Sequence, residues 1–110
     1  METVIKSREF ELNTEFKDLI YKKTSKIEKH FPQAIKLEVE IHQESNPSIS
    51  NPTTVELTLS IKKQLMRAAS QGDNFVTALD KAVYKIDRQI EKHKNKSYHS
   101  KVNRNRLSEP

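Results

Sequence analysis

The basic residues in the last thirty positions of this sequence have the most distinctive chemistry and spacing. Residues 81–110 carry nine basic and three acidic side chains, a net charge of +6, whereas the first eighty residues carry a net charge of −1. Ammonium and guanidinium groups bind phosphate oxygens, so a basic segment on a nearly neutral body indicates a polyanionic partner.

The basic residues of this segment follow a helical pattern. When successive side chains are placed about 100° apart around the helix axis, these basic residues fall within a wedge of about 80°. Three acidic residues fall within a separate wedge. The basic ridge, as we call it, consists of Lys81, Lys85, Arg88, Lys92 and Lys96, and the acids are Asp80, Asp87 and Glu91. No ridge residue has an acid four positions away, the spacing that stabilises solvated helices. A run of charge is most often only a solvated face, but this segregation favours phosphate binding.

A second set of lysines repeats the spacing near the start of the chain. Lys22, Lys26 and Lys29, the first-helix lysines, lie at i, i+4 and i+7 in a predicted helix over 14–30. Asn13 or Thr14 is expected to cap this helix. The attraction of lysines to the negative end of a helix dipole would by itself explain their position. Two basic helices would also allow one small domain to bind phosphates on both sides of a groove.

Residues for catalysis or metal binding do not form a recognisable constellation. The single glycine, Gly72, rules out a glycine-rich phosphate loop, and no serine lies in a G-x-S-x-G turn. The four histidines lack the i, i+4 spacing of a zinc-binding helix; they are His30, His42, His93 and His99. We therefore expect no enzyme activity, no metal site, no cofactor and no small-molecule substrate.

Composition limits the remaining classes of protein. A length of 110 residues with 34% hydrophobic content predicts one domain with a modest core. The absence of cysteine favours the cytosol, and no apolar run has the length of a signal peptide or a membrane span. We expect a cytoplasmic protein that is soluble and has no membrane partner.

The elements that position these residues follow from hydrophobic periodicity. Strands are predicted at 3–8, 35–41, 55–61 and, more weakly, 64–70, with helices over 14–30 and from residue 75 onward. The apolar positions of the second strand are Ile35, Leu37, Val39 and Ile41, and those of the second helix are Phe75, Leu79, Ala82, Val83, Ile86 and Ile90. The order β-α-β-β-β-α predicts an α+β fold, a four-stranded sheet with two helices packed on one face. Residues 1–96 form the predicted domain, and 97–110 a basic, disordered tail.

Five stretches carry a resemblance to a known family: Met66–Ala68, Asp73–Asp80, Lys85–Lys94, Ser7–Asn13 and Tyr21–Phe31. The most specific is Lys85–Lys94, where the pattern Lys-aliphatic-acid-Arg-Gln-aliphatic precedes spaced lysines. On these stretches the chain resembles the ribosome hibernation promoting factors, also called ribosome-associated inhibitors, over roughly residues 3–96. It departs from the family pattern at positions 74–76, where the family usually has an acid, Leu or Met, and Tyr, and at 69 and 70, where acids are common.

The resemblance implies a fold similar to double-stranded RNA-binding domains. It also implies binding to the small ribosomal subunit between head and body, where the basic helices would meet rRNA and the bulk of the domain would overlap the mRNA and tRNA paths. Ribosomes would be inhibited or stored by occupancy, during stress or stationary phase, by a protein that is monomeric off the ribosome. The residues that match the family's rRNA-binding positions are Lys22, Lys26, Lys29, Lys85, Arg88, Gln89, Lys92 and Lys94. Lys81 and Lys96 join this set on helical geometry alone.

Several alternatives stay open at this point. The chain resembles either a short form of the family or the N-terminal domain of a long form, whose second domain dimerises. A general double-stranded RNA-binding module, which would recognise the shape of an A-form helix, is the alternative function. An enzyme acting on phosphorylated substrates is a third class, but the sequence offers no nucleophile or metal cluster for it.

Overall fold

The computed structural model describes residues 1–46, 48–50 and 52–102, with side chains described as far as Lys94. Within these ranges the chain forms six elements: β1 (Glu2–Arg8), α1 (Thr14–His30), β2 (Lys36–Gln43), β3 (Thr53–Ile61), β4 (Gln64–Gly72) and α2 (Phe75–Val102). The order β-α-β-β-β-α is the predicted one, and the fold class is confirmed.

The four strands form one mixed sheet in the order β1-β2-β3-β4. β1 pairs with β2 in parallel, and β2, β3 and β4 pair antiparallel. A parallel pair needs a crossover connection, and α1 supplies it. α2 packs along β3 and β4 and also touches α1. Both helices therefore cover one face of the sheet, and β1 and β4 are left as its edges.

The core lies between the helices and the inward-facing residues of the central strands. Leu37, Val39 and Ile41 are fully buried, as the alternation predicted. Ile35, which we expected at a fourth inward position, is 57% exposed, so that expectation was wrong. β2 begins only at Lys36, and Ala34 rather than Ile35 is buried where the chain enters the sheet. The regular alternation of a strand does not extend into the preceding turn.

Side-chain caps fix where each helix begins. Asn13 Oδ1 accepts a hydrogen bond of 2.8 Å from the backbone N–H of Phe16, so Asn13 rather than Thr14 caps α1. Asn74 Oδ1 accepts one of 2.9 Å from the N–H of Thr77 and caps α2 in the same way. A Cβ added to Gly72, just before this cap, would lie 2.7 Å from the backbone nitrogen of Ala78. The backbone at the β4–α2 turn is therefore too close to α2 for a side chain.

The buried stripe of α2 has the predicted phase. All six apolar residues named above are buried, from Phe75 to Ile90. Three phenylalanine rings meet at the start of the helix, where Phe75 packs 5.2 Å from Phe10 and 5.0 Å from Phe16 between ring centroids. The helix continues as far as Val102, beyond the boundary expected at residue 96. The division into a domain and a tail stays a prediction, and residues 103–110 lie outside the described part of the chain.

Candidate nucleic-acid interface

The basic ridge lies on the side of α2 that faces away from α1. Lys81, Lys85, Arg88 and Lys92 are all exposed, because the buried stripe on the opposite side holds the helix against the sheet. The side chain of Lys96 lies outside the described residues. Four of the five ridge residues are thus brought together on one accessible surface, as their helical spacing predicted.

The acidic side of α2 faces α1. Asp80 Oδ1 lies 2.6 Å from Lys23 Nζ, and Asp87 Oδ1 lies 3.8 Å from His30 Nδ1, an ion pair when the histidine is protonated. Two of the three acids therefore serve the contact between the helices. This explains in part why acids and bases are segregated around the helix.

Three of the predicted binding residues also contact the edge strand β4. Lys85 Nζ donates to the carbonyl oxygen of Ala69 at 2.8 Å, and Lys81 Nζ donates to that of Gln71 at 3.4 Å. The Gln89 amide donates to the carbonyl oxygen of Arg67. From one contact to the next, the donor moves four residues along the helix, about 6 Å, and the acceptor moves two residues along the strand, about 6.7 Å. Because the two steps are nearly equal, the same kind of contact repeats three times.

These contacts give three polar side chains of α2 a structural role that the sequence interpretation missed. An edge strand presents unpaired carbonyl groups that invite pairing with another chain, and here donors from α2 occupy three of them. The i, i+4 spacing of positions 81, 85 and 89 was visible in the sequence, but its use depends on how α2 lies beside β4. A lysine ammonium has three donors, so Lys81 and Lys85 each keep donors for a phosphate.

Arg88 and Lys92 complete the accessible part of the ridge. Arg88 Nη1 donates to the hydroxyl of Tyr84 at 3.1 Å, and the guanidinium carbon lies 5.8 Å from the centre of the tyrosine ring. Within the described ranges, Lys92 has neither a hydrogen bond nor an ion pair. Both side chains therefore have N–H groups left for an anionic partner.

The remaining predicted residues lie on α1 or beside its end. Lys22, Lys26 and Lys29 are exposed, and no ion pair involves them in the part of the chain that the structure describes. Lys94 Nζ donates to the carbonyl oxygen of His30 at 3.2 Å. Lys94 therefore joins α2 to the C-terminal end of α1, where the helix leaves carbonyl groups unpaired, and does not lie on the ridge.

The open face of the sheet has a different character. Lys6 and Arg67 lie there among Glu38, Glu40 and Glu56, around a hollow of about 220 Å³. Glu40 is directly opposite Glu56 on the neighbouring strand. This face carries two basic and three acidic side chains around its hollow, whereas bases outnumber acids along the ridge, so the helical side is the better candidate for binding a polyanion.

Two other kinds of site have no support in the described residues. No group of three or more histidine or carboxylate side chains is placed to hold a metal ion there. No helix in the same ranges is both long and apolar enough to cross a membrane.

A mixed four-stranded sheet with two helices on one face and a basic ridge on the second helix defines a small α+β domain with one strongly basic surface. Residues 3–98 match the model of the family described as "Sigma 54 modulation protein / S30EA ribosomal protein". The chain belongs to this family, and the predicted resemblance to ribosome hibernation promoting factors is confirmed.

Individual relatives agree with this assignment. The ribosome hibernation promotion factor of Bacillus subtilis is 26% identical over 92 residues, which are 84% of this chain and 48% of that protein. The chain thus spans about half the length of this relative. A ribosomal subunit interface protein from Coxiella burnetii has the same fold, with a TM-score of 0.76 at 15% identity over 86% of this chain and 99% of that one. The N-terminal domain of Thermus thermophilus Protein Y superimposes with a TM-score of 0.73 at 16% identity, over 84% and 99% of the two chains.

Proposed function

We propose that this chain is a ribosome hibernation factor that binds the small ribosomal subunit through its two basic helices. The observation that carries the proposal is the exposed basic ridge of α2 in a chain of this family. Ribosomal RNA is the polyanion that a ribosome offers, and its phosphates suit the ammonium and guanidinium groups of the ridge. The Bacillus subtilis relative is named for ribosome hibernation, and the Coxiella protein for the ribosomal subunit interface.

The ridge and the first-helix lysines have different parts in this proposal. Arg88 can bind a phosphate through two parallel N–H bonds, while Lys85 and Lys92 act as flexible point charges on either side of it. Lys22, Lys26 and Lys29 supply a second line of charge on α1. Between these lines lie the contacts of Lys23 with Asp80 and of His30 with Asp87, so the two helices present two basic surfaces separated by a more neutral seam.

Two roles are combined in Gln89, Lys81 and Lys94, a contact within the fold and an expected contact to rRNA. Each donates a hydrogen bond within the fold, and each is expected to place its remaining donors near rRNA. Lys96 is proposed as the fifth residue of the ridge on its helical spacing from Lys92 alone.

Binding between the head and body of the subunit would block the mRNA path and the A-site and P-site tRNAs. Such a factor inhibits translation by occupancy, without catalysis and without a cofactor, and it stores ribosomes in the cytoplasm during stress or stationary phase. Off the ribosome the chain is expected to be a monomer. The net charge of +5 would speed encounter with the negatively charged subunit at low salt.

Co-sedimentation on sucrose gradients tests the proposal. The chain is expected to travel with small subunits and whole ribosomes, but not with large subunits alone, and to reduce the tRNA that small subunits retain. Sedimentation with neither particle would contradict the proposal. Equal affinity for a plain RNA duplex and for small subunits would favour the general double-stranded RNA-binding module instead.

A further inference from the structure

Tyr84 is an exposed aromatic side chain within the basic surface of α2. It lies next to Lys85 in sequence and four residues before Arg88, and 61% of its surface is exposed. It does not belong to the hydrophobic core, whose α2 residues lie on the opposite side of the helix. The core therefore does not account for an aromatic residue at this position.

The tyrosine ring lines two neighbouring hollows. The first, of about 550 Å³, lies between α2 and the edge strand β4; its lining residues are Ser70, Gln71, Asp80, Lys81, Tyr84 and Lys85. The second, of about 400 Å³, lies further along the helix and is lined by Tyr84, Arg88, Glu91 and Lys92. Each hollow thus contains two cationic side chains and one carboxylate, Asp80 in the first and Glu91 in the second, which leaves an excess of one positive charge in each. The ring lines both hollows.

Contacts within the fold orient this ring. The Arg88 guanidinium lies 5.8 Å from the ring centre and donates to the Tyr84 hydroxyl at 3.1 Å. This hydrogen bond uses an acceptor site of the hydroxyl, whose own O–H can still donate, and it restricts rotation of the side chain. The exposed ring also offers a flat face, which suits stacking.

Ser70 adds an unused polar group beside the first hollow. The residue is 6% exposed, and its hydroxyl has no hydrogen-bond partner among the residues that the structure describes. It lies between Ala69 and Gln71, whose carbonyl groups Lys85 and Lys81 contact. A buried hydroxyl is normally paired, so that of Ser70 keeps the capacity for a hydrogen bond that the described residues do not make.

We propose that Tyr84 stacks against one unpaired nucleobase of RNA, with the flanking phosphates bound by Lys81 and Lys85 on one side and by Arg88 and Lys92 on the other. This inference rests on the proposed function and specifies which part of the RNA the ridge binds. In a nucleotide chain, each base is flanked by two phosphates, which matches an aromatic ring flanked by two cationic hollows. A fully paired duplex offers no free base face, so the occupant is a bulged or single-stranded nucleotide.

The proposal is tested with two RNA hairpins that differ only by one bulged nucleotide, and with small ribosomal subunits. The wild-type chain is expected to bind the bulged hairpin more tightly than the paired one. Tyr84→Ala should lower affinity for the bulged hairpin and for subunits by about 5- to 150-fold, the range that follows from loss of one stacked base. It should leave the salt dependence unchanged, because the ring neutralises no phosphate. Tyr84→Phe keeps the ring and loses only the hydrogen bond from Arg88, so it should retain most of the wild-type affinity.

Tyr21→Ala is the matched control, because Tyr21 is also exposed but lies on α1 outside the ridge. It should bind both hairpins as the wild type does. Stacking is overturned if the wild type does not distinguish the hairpins, if Tyr84→Ala binds as tightly as the wild type, or if Tyr84→Phe loses as much as Tyr84→Ala. A bulge preference that depends on Tyr84, in a chain that does not sediment with ribosomes, would support stacking and refute the ribosomal function.

Discussion

Alanine at Lys85, Arg88 and Lys92 together is expected to abolish most binding to the small subunit at physiological salt. Each side chain that neutralises one phosphate contributes about 0.7 to 0.9 to the slope of log affinity against log salt concentration, so the triple variant should lose about 2 to 3 from that slope. All three side chains are exposed, and the fold should survive their removal, although the hydrogen bond from Lys85 to the carbonyl oxygen of Ala69 is lost. The change in slope, which a loss of stability would not produce, should therefore reflect contacts to RNA.

The measurement is the affinity for small subunits over a series of salt concentrations. The matched control replaces Lys6, Lys36 and Lys62 with alanine. These substitutions remove the same amount of charge from β1, β2 and the β3–β4 turn. This control should keep the wild-type slope. If both variants lose the same slope, net charge and not the ridge determines binding; an unchanged slope in the Lys85/Arg88/Lys92 variant would show that the ridge does not contact phosphates.

Phe75→Ala is expected to have the largest effect on stability. Phe75 is 4% exposed and packs within 5.2 Å of the rings of Phe10 and Phe16. Removal of a buried phenylalanine costs about 3 to 5 kcal/mol, through lost transfer free energy and the cavity left behind. The total free energy of unfolding of such a domain is about 5 to 15 kcal/mol, so the variant should be barely stable.

Urea denaturation followed by circular dichroism measures this change in the free energy of unfolding. Val76→Ala is a suitable control, because Val76 is the next residue of α2 and is 41% exposed. Its stability should lie within about 0.5 kcal/mol of the wild type. A Phe75→Ala protein as stable as this control would show that the three rings do not pack as described.

The sequence predicted most of the fold because its periodic signals are strong. α1 was predicted over 14–30 and extends from Thr14 to His30. The apolar stripe of α2 from Phe75 to Ile90 had the correct phase, since six residues repeated the helical period. That phase in turn predicted which basic side chains share one face. The error at Ile35 arose where periodicity is weakest, at a strand end that follows a turn.

Contacts between elements could not be predicted in this way. Nothing in the local pattern shows that Lys85 and Gln89 reach carbonyl groups of β4, because that contact depends on the position of α2 against the sheet edge. The pairing of Lys23 with Asp80 likewise depends on how the two helices pack. Lys94 was predicted to bind rRNA on the resemblance, and its contact with the end of α1 depends in the same way on how the helices pack.

Site-directed cross-linking shows whether the ridge contacts ribosomal RNA. A photoreactive side chain at Lys92, on the ridge, is compared with one at Glu38, on the open face of the sheet, after each chain is bound to ribosomes. We expect a cross-link from position 92 to RNA of the small subunit and none from position 38. Cross-links to that RNA from position 38 alone, or from neither position, would contradict this expectation.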